Sequence, residues 1–306
     1  MFSMRMGMGL GVGTSLAITA SSAAEDAVDA WIAAMNEDSA SENTTKRSDY
    51  VTLFGALMTA GVWDKLDAAW VLCTNDTTGI VEAADACLIN IVDPTMVGTS
   101  VTANGSYPYL VKNSHVQGHL TNGNIGGYIK TGYSPDGTTS KCTRNNHSFG
   151  VWRIGTGNVD TSEMGAMYSS GAPVYGIVAQ ARGLLVAAPT TLYGHYHRSC
   201  GDYKTFRATA QDGFTGVHRR NSATTATYYI NAETEDIAVS TDGDMSAREW
   251  FILARNAYGP GGAAAPDRYS DKQLAFAFAG AALTADEHTD LYAALTTFLT
   301  AMGAIS

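Results

Sequence analysis

The chain has 306 residues, 45% of them apolar and 9% aromatic, which is enough for a substantial core, and only 16% are charged. A net charge of -10, with 19 scattered Lys and Arg, leaves no basic stripe for a phosphate backbone and excludes nucleic acid as an expected partner. No run reaches the ~18 uninterrupted apolar residues of a membrane-crossing helix, and the 32 glycines favour turn-rich β structure over a helical bundle.

Residues 1–24 imitate a signal peptide, with Arg5, an apolar part and the small residues Ser21 to Ala24. Gly7, Gly9, Gly11 and Gly13 interrupt the apolar part, so the expectation is an uncleaved arm that orders only against a neighbouring subunit. From Glu25 to Met35, Ala27, Val28, Trp31, Ile32 and Met35 recur at helical spacing. The polar stretch Asn36 to Thr45 separates this helix from a second, Ser48 to Ala60, which Gly61 stops, and the two form a helical hairpin. Trp63 to Cys73 reads as a further short helix, so residues 25–90 form a helical docking region.

Beyond Asn90 the periodicity changes to two, and turn residues recur every eight to twelve positions or so, the rhythm of a sandwich. Predicted strands run over Ser148 to Ile154, Val174 to Ala179, Gly183 to Ala187, Thr190 to His197, Phe206 to Ala210, Thr225 to Asn231, Glu249 to Arg255 and Gln273 to Ala279. In the last, Leu274, Phe276 and Phe278 alternate with alanines and are expected on one face. A capping box, Thr284-Ala-Asp-Glu287, opens a closing helix over 284–303 whose stripe is Leu291, Leu295, Phe298, Leu299 and Met302. The fold class is therefore mainly β: an antiparallel β-sandwich over 91–306, with an N-terminal helical hairpin and a C-terminal amphipathic helix.

Motifs with chemistry are few. Gly9, Gly11 and Gly13 miss the dinucleotide spacing, and neither a nucleophile elbow, a phosphate loop nor a zinc-protease helix occurs. Glu233 and Glu235 lie two apart, roughly 6.5 Å on a strand and within the range of glycosidase pairs. They also fit a solvated hairpin turn over Asn231 to Asp236, and that reading is preferred. His195 and His197, alternating with Tyr196, project from one side of a strand and could hold a metal around a symmetry axis, but with no acidic or third ligand nearby polar contacts on a sheet face are the preferred reading. His115 and His119 sit among Gly and Asn, which argues against a helix there. Asp136-Gly137 and Asp242-Gly-Asp244 read as turns. Tyr107, Tyr109, Tyr193, Tyr196, Tyr228 and Tyr229 could stack sugars, but strand tyrosines mostly pack across strands. Cys73, Cys87, Cys142 and Cys200 lack C-x-x-C spacing, so no zinc ribbon is expected and a disulfide cannot be paired. No catalytic residue and no metal site is assigned; the ligand-binding candidates are Tyr193, His195, Tyr196 and His197.

Four stretches resemble a pattern of phage virion-associated proteins that carry a concanavalin A-like or laminin-G-like jelly roll. They are Asp29-Ala-Trp-Ile-Ala-Ala-Met35, Ala60-Gly-Val-Trp-Asp-Lys-Leu66, Gly127-Tyr-Ile-Lys-Thr-Gly-Tyr133 with Phe149-Gly-Val-Trp152, and Phe276-Ala-Phe-Ala-Gly-Ala-Ala-Leu-Thr284 leading into Leu291-Tyr-Ala-Ala-Leu295. The resemblance implies two curved antiparallel sheets displayed on a particle exterior as a tail fibre, tail tip, head fibre or decoration, facing cell-surface glycans. It further implies docking to other virion proteins through residues 1–60 and a homo-oligomer, with a trimer favoured. Calcium enters only by analogy of fold, and no catalytic residue transfers. A glycan depolymerase on the same fold is the alternative. Ser162 to Gln211 carries no family motif, and loops there are expected to set what the module touches.

Overall fold

The computed structural model describes residues 12–76, 79–81, 85–102, 108–111, 115–117, 119–121, 124–135, 139–154, 161–168, 175–183, 192–193, 196–197, 205–206, 213–219, 222, 224–238, 248–258, 264–267, 269–270 and 272–306. Two large sheets face each other. The first has nine strands and runs, edge to edge, through Glu233–Ala238, Thr225–Ile230, Gly213–Arg219, His147–Ile154, Gln273–Gly280, His115–Gln117, Tyr109–Val111 and Gly79–Ile80, with Leu66–Val71 also paired to Gln273–Gly280. The second has ten and runs through Thr205–Phe206, Leu192–Tyr193, Tyr175–Gly183, Thr161–Tyr168, Phe251–Ile252, Tyr128–Lys130 and Thr99–Val101, with Tyr196–His197, Arg255–Tyr258 and Ala264–Asp267 joined at the side. The antiparallel β-sandwich expected from the periodicity is the fold.

Four helices, α1 (Val12–Ala33), α2 (Glu37–Thr44), α3 (Arg47–Thr59) and α4 (Ala285–Ala301), make a third layer. Between the sheets lie Trp70, Leu88, Ile129, Phe149, Val151, Tyr228, Trp250 and Ile252. Trp31, Phe54, Leu57, Leu291, Leu295 and Phe298 press onto the outer face of the first sheet against Trp152, Phe214, Tyr229, Phe276 and Phe278. That sheet is buried on both faces, so its strands read as apolar runs instead of alternating ones.

This explains several departures from the expected elements. Trp63 to Cys73 is not a helix: a single 3-10 turn, Trp63–Lys65, leads into the strand Leu66–Val71. Ala68 and Trp70 face the partner sheet while Ala69 and Val71 face the helices, and two buried faces imitate helical spacing. In Gln273–Gly280 the pairing shifts between Leu274 and Phe276, where the Ala275 carbonyl accepts from both Leu72 N and Cys73 N at 2.9 Å. The bulge turns Leu274 into the inter-sheet core and leaves Phe276 and Phe278 under the helices, so the three do not share a face.

The expected arm over 1–24 is helical from Val12 onward, and its Ala24 is fully buried; residues 1–11 lie outside the described part. From Thr14 to Ala24 nothing but good or tolerable helix formers precedes Glu25, so the helix propagates backwards. The polar stretch after it is not a linker but α2, capped by the Asn36 side chain on Ser39 N at 2.8 Å. It has no apolar stripe because it is held by polar groups. The buried Asp76 carboxylate accepts from Ser39 Oγ, from Asn43 Nδ2 at 2.6 Å and from Thr74 Oγ1 at 2.9 Å. Burial raises its pKa, and these three bonds oppose the rise. The helix α4 has the full capping box at Thr284 and Glu287, buries the expected stripe, and stops at Gly303, whose φ of 73° suits glycine.

Candidate functional site

The two ends of the sandwich are built differently. One end gathers the close of His147–Ile154, the opening of Thr161–Tyr168, Gly213, Asn231, Leu253, Ser270 to Leu274 and the segment after α4. Asn231 and Leu253, both here, are the non-glycine residues with positive φ among the described ones, at 54° and 66°.

Each follows from local pairing. A two-residue turn, Asn231–Ala232, joins Thr225–Ile230 to Glu233–Ala238. Asn tolerates the left-handed region, and this one locks to the neighbouring strand: its N donates to Phe214 O at 2.8 Å and its Oδ1 accepts from Phe214 N at 2.9 Å. Opposite it, Gly213 has φ 110°, and a Cβ there would lie 2.0 Å from Asn231 Oδ1, so glycine is obligatory. The fully buried Leu253 donates to Glu163 O at 2.7 Å and accepts from Ser270 N at 2.8 Å, while Ser270 Oγ accepts from Lys272 N at 3.1 Å. Its backbone thus splits the expected Glu249 to Arg255 strand into Phe251–Ile252 and Arg255–Tyr258. Glu163 falls at a bulge, where the pairing of Thr161–Tyr168 shifts between Ser162 and Met164; bulges re-aim side chains and are frequent beside functional sites.

Buried charge is concentrated at the same end. Arg153, Glu163, Arg255 and Lys272 are 4%, 1%, 8% and 5% exposed. Arg153 stands opposite Gly213 and Leu274, and Arg255 opposite Asp267. Charged side chains are seldom buried so deeply, which makes this end a functional candidate. Beside Arg153 a groove of about 610 Å³ is lined by Trp152, Ile154, Gly213, Asn231, Tyr292 and the segment Gly303 to Ser306. Trp152 and Tyr292 stack along it, centroids 5.4 Å apart at 15°.

Behind this end, His288 of α4 sits on Tyr229 at 3.7 Å between ring centroids. Its Nε2 donates to Asn231 O at 3.1 Å, which makes its Nδ1 the acceptor for His218 Nε2, also at 3.1 Å. Burial pulls the His288 pKa down to about 4. Elsewhere, Asp67 accepts from Lys141 N, Cys142 N, Ser140 Oγ and Tyr133 Oη at 2.8, 2.8, 2.7 and 3.1 Å. The Asp67 and Asp76 networks spend their acceptor capacity inside the protein and read as clamps for loops.

The residues singled out in the sequence fare unevenly. Glu233 and Glu235 are not in a turn but on the edge strand Glu233–Ala238, Glu233 exposed and Glu235 half-buried, and neither lines the groove. The expected Thr190 to His197 strand is two strands: Tyr193 is opposite Arg182, Tyr196 opposite Val178 and His197 opposite Ile177, while His195 lies outside the described residues. Tyr193 and Tyr196 therefore share a neighbour strand but not a strand of their own. His115 and His119 fall on separate strands. Tyr228 and Tyr229 are buried, one toward each face, as packing residues. Cys73, Cys87 and Cys142 are buried, and burial pushes the Cys73 thiol up to about 12, so it stays protonated at neutral pH. Cys200, Tyr107, Asp136, Asp242 and Asp244 lie outside the described residues, and most of the predicted strands Gly183 to Ala187 and Phe206 to Ala210 do too. Among the described residues no group of three or more His, Cys, Asp or Glu could hold a metal ion, and no helix is long and apolar enough to cross a membrane. No local pattern marks Arg153, Leu253 and Asn231 as a group; the one signal is that Arg153 and Arg255 interrupt otherwise apolar or small-residue strands.

No known protein family and no curated protein matches the sequence. Solved structures do match in fold. Domain 4 of AbnA, a GH43 extracellular arabinanase from Geobacillus stearothermophilus solved with arabinotriose, is 15% identical with a TM-score of 0.41, over 74% of this chain and 98% of that one. The receptor binding domain of botulinum neurotoxin D is 8% identical with a TM-score of 0.45, over 76% and 53%. A Trypanosoma rangeli sialidase is 13% identical with a TM-score of 0.28, over 81% and 40%.

Proposed function

We propose that this chain is a structural component of a phage virion, exposed on the particle exterior, whose jelly-roll module attaches to host-surface glycans. The observation that carries the reading is the one-sided construction of the molecule. An apolar helical layer covers one sheet, and four buried charged residues, two of the bulges and both non-glycine residues of positive φ among the described ones lie at one end of the sandwich. The four stretches that resemble virion proteins span both layers.

In this reading residues 1–60 dock the module onto other virion proteins, and the copies associate, a trimer being favoured. The groove of about 460 Å³ between α3 and α4, floored by Gly55, Ala56, Ala293 and Ala294, belongs to that docking side. Tail fibre, tail tip, head fibre and capsid decoration all satisfy the same geometry. The nameable candidates for a depolymerase, Glu233 and Glu235, sit on an edge strand and line neither of the grooves formed by the described residues, which favours attachment.

Quantitative mass spectrometry of purified particles tests the location: a fixed copy number per particle is expected, and absence of the chain overturns the proposal. Sedimentation of the isolated chain should give about three times its 32.2 kDa mass. Retention on host polysaccharide without shortening of the chains supports attachment, and shortening that stops on Glu235→Gln supports the hydrolase instead.

A further inference from the structure

No described residue fills the groove between α3 and α4, and its surface is apolar. Leu53 and Phe298 lie beneath its glycine and alanine floor. Thr52 and Thr297, at its sides, spend their hydroxyls on carbonyls of their own helices, Ser48 O at 2.8 Å and Ala293 O at 3.0 Å. Its rim is acidic: Asp290 lines it and is exposed, Asp286 is exposed one turn earlier, and among the described residues no ion pair joins either. The cations of the helical layer are already engaged, Lys46 with Asp49, Arg47 with Asp29 and Lys65 with Glu287. Beside this groove α1 overhangs the body. It runs antiparallel to α3, since Asp29 meets Arg47 at one end and Ala24 packs on Gly55 toward the other, where an added Cβ would lie 3.6 Å from that of Ala24. Beyond this contact α1 continues through residues 12–23, about 18 Å of helix, whereas α3 has residues 56–59 left, about 6 Å. Ser21, Ser22 and Ala23 are exposed accordingly.

We infer that the groove seats residues 1–11 of a second copy of this chain, their apolar side chains on its floor and Arg5 at the Asp290 rim. The inference rests on the reading that copies associate through residues 1–60, and it names the contact. Phe2, Met4, Met6, Met8 and Leu10 stand at every second position, with Ser3, Arg5 and glycines between them, so an extended backbone lays the large side chains on one face. Methionine adapts to a shallow apolar surface, and glycine lets a backbone approach closely. Residues 52–60 and 290–298 each span about 12 Å, a length that about four extended residues match. Arg5 is the one charged residue before Glu25, and its long stem can return the guanidinium to the acidic rim. The overhang of α1 selects the second copy: it carries residues 1–11 away from their own groove, which they would reach only by reversing and running back along α1. An arm passed to the next copy is a heterologous contact, and three such contacts can close a ring.

Disulfide trapping and sedimentation of the full-length chain test it. Two differently tagged chains, both carrying Cys200→Ser, one with Met6→Cys and the other with Thr297→Cys, are co-expressed and oxidised. A disulfide joining the two tags is expected, and neither variant alone should form one. If instead a chain carrying both substitutions closes the bond only within itself, the arm lies in its own groove and the exchange is overturned. In sedimentation, Ala293→Trp, which fills the groove from an exposed position of α4, should raise the dissociation constant of the assembly roughly tenfold or more, with helix content by circular dichroism unchanged. Met4→Ser, Met6→Ser and Met8→Ser combined should do the same from the arm. Association that neither variant weakens overturns the groove contact and leaves the copies joined through another surface. A wild-type chain that stays monomeric overturns both the arm contact and the association reading, whereas the particle composition decides the virion location separately.

Discussion

The end of the sandwich that meets the start of α4 is tied together by local hydrogen bonds, while the opposite end combines buried charge with left-handed backbone. At the first, Ser148 Oγ donates to Ala281 O at 2.6 Å, Ala281 N to Lys65 O at 2.8 Å, and the capping box closes with Lys65 paired to Glu287. The Lys65 ammonium and the helix N-terminus hold the Glu287 carboxyl below its usual range against its partial burial. At the other end lie Asn231 and Leu253 with positive φ, four buried charges, two bulges and a groove. Strain and buried charge persist only where the surrounding structure enforces them, and they collect where a protein binds or reacts. The contrast separates the end that holds the fold together from the end that is available for function.

The largest effect should come from breaking the tight end. A Cβ on Gly280 would stand 2.2 Å from Lys65 O, so Gly280→Ala must push the Leu66–Val71 strand away from its partner. A loss of about 3 kcal/mol, measured by chemical denaturation, is expected; a loss under about 1 kcal/mol would show that this end is softer than its bonding implies.

Acid should act next, on the contact between the two regions. His288 is neutral when folded, its pKa held by burial at about 4 against the ordinary histidine value of 6.5, so the unfolded chain binds the extra proton between those values. Its contribution is fully present above pH 6.5 and is lost as pH falls toward 4, about 3 kcal/mol in order of magnitude. Asp76, raised by burial, works in the opposite sense, since its folded form takes up a proton first and is favoured as pH falls. His288→Gln should therefore flatten the acid slope of stability over that window, and an unchanged slope would remove His288 as its source.

Thr284→Ala removes the acceptor of Glu287 N and should lower stability by about 1 kcal/mol. The smallest effect belongs to the strained end: Asn231→Gly loses the acceptor for Phe214 N but relieves a positive φ, and the two nearly cancel to within about 0.5 kcal/mol. Asn231→Val, which can do neither, should be clearly worse in the same melting experiment. If Asn231→Gly proved as damaging as Asn231→Val, the amide contact, not the backbone conformation, would define this turn.

Elements whose signals are local were legible in the chain. The capping box and the stripe of α4 need only residues three and four apart, and the period-two rhythm with regular turn residues marked the sandwich. The α2 helix was not, because its anchor is Asp76, more than thirty residues away, and its own residues are polar. The Leu66–Val71 strand was misread because a strand buried on two faces loses the alternation that identifies it. Leu274 was assigned to the wrong face because one bulge, at Ala275, inverts every side chain before it.

By itself the sequence determined the class of fold, its closing helix, and the absence of a basic stripe, since composition and short-range periodicity set these through propensity and burial. Tertiary structure alone decided where charge would be buried. Arg153 and Glu163 come from consecutive strands, Arg255 from a strand some ninety residues later and Lys272 from the residue before Gln273–Gly280, and their place at one end depends on register, on two bulges and on the backbone of Leu253 and Asn231. Those are properties of pairing between distant segments, and no local pattern encodes them.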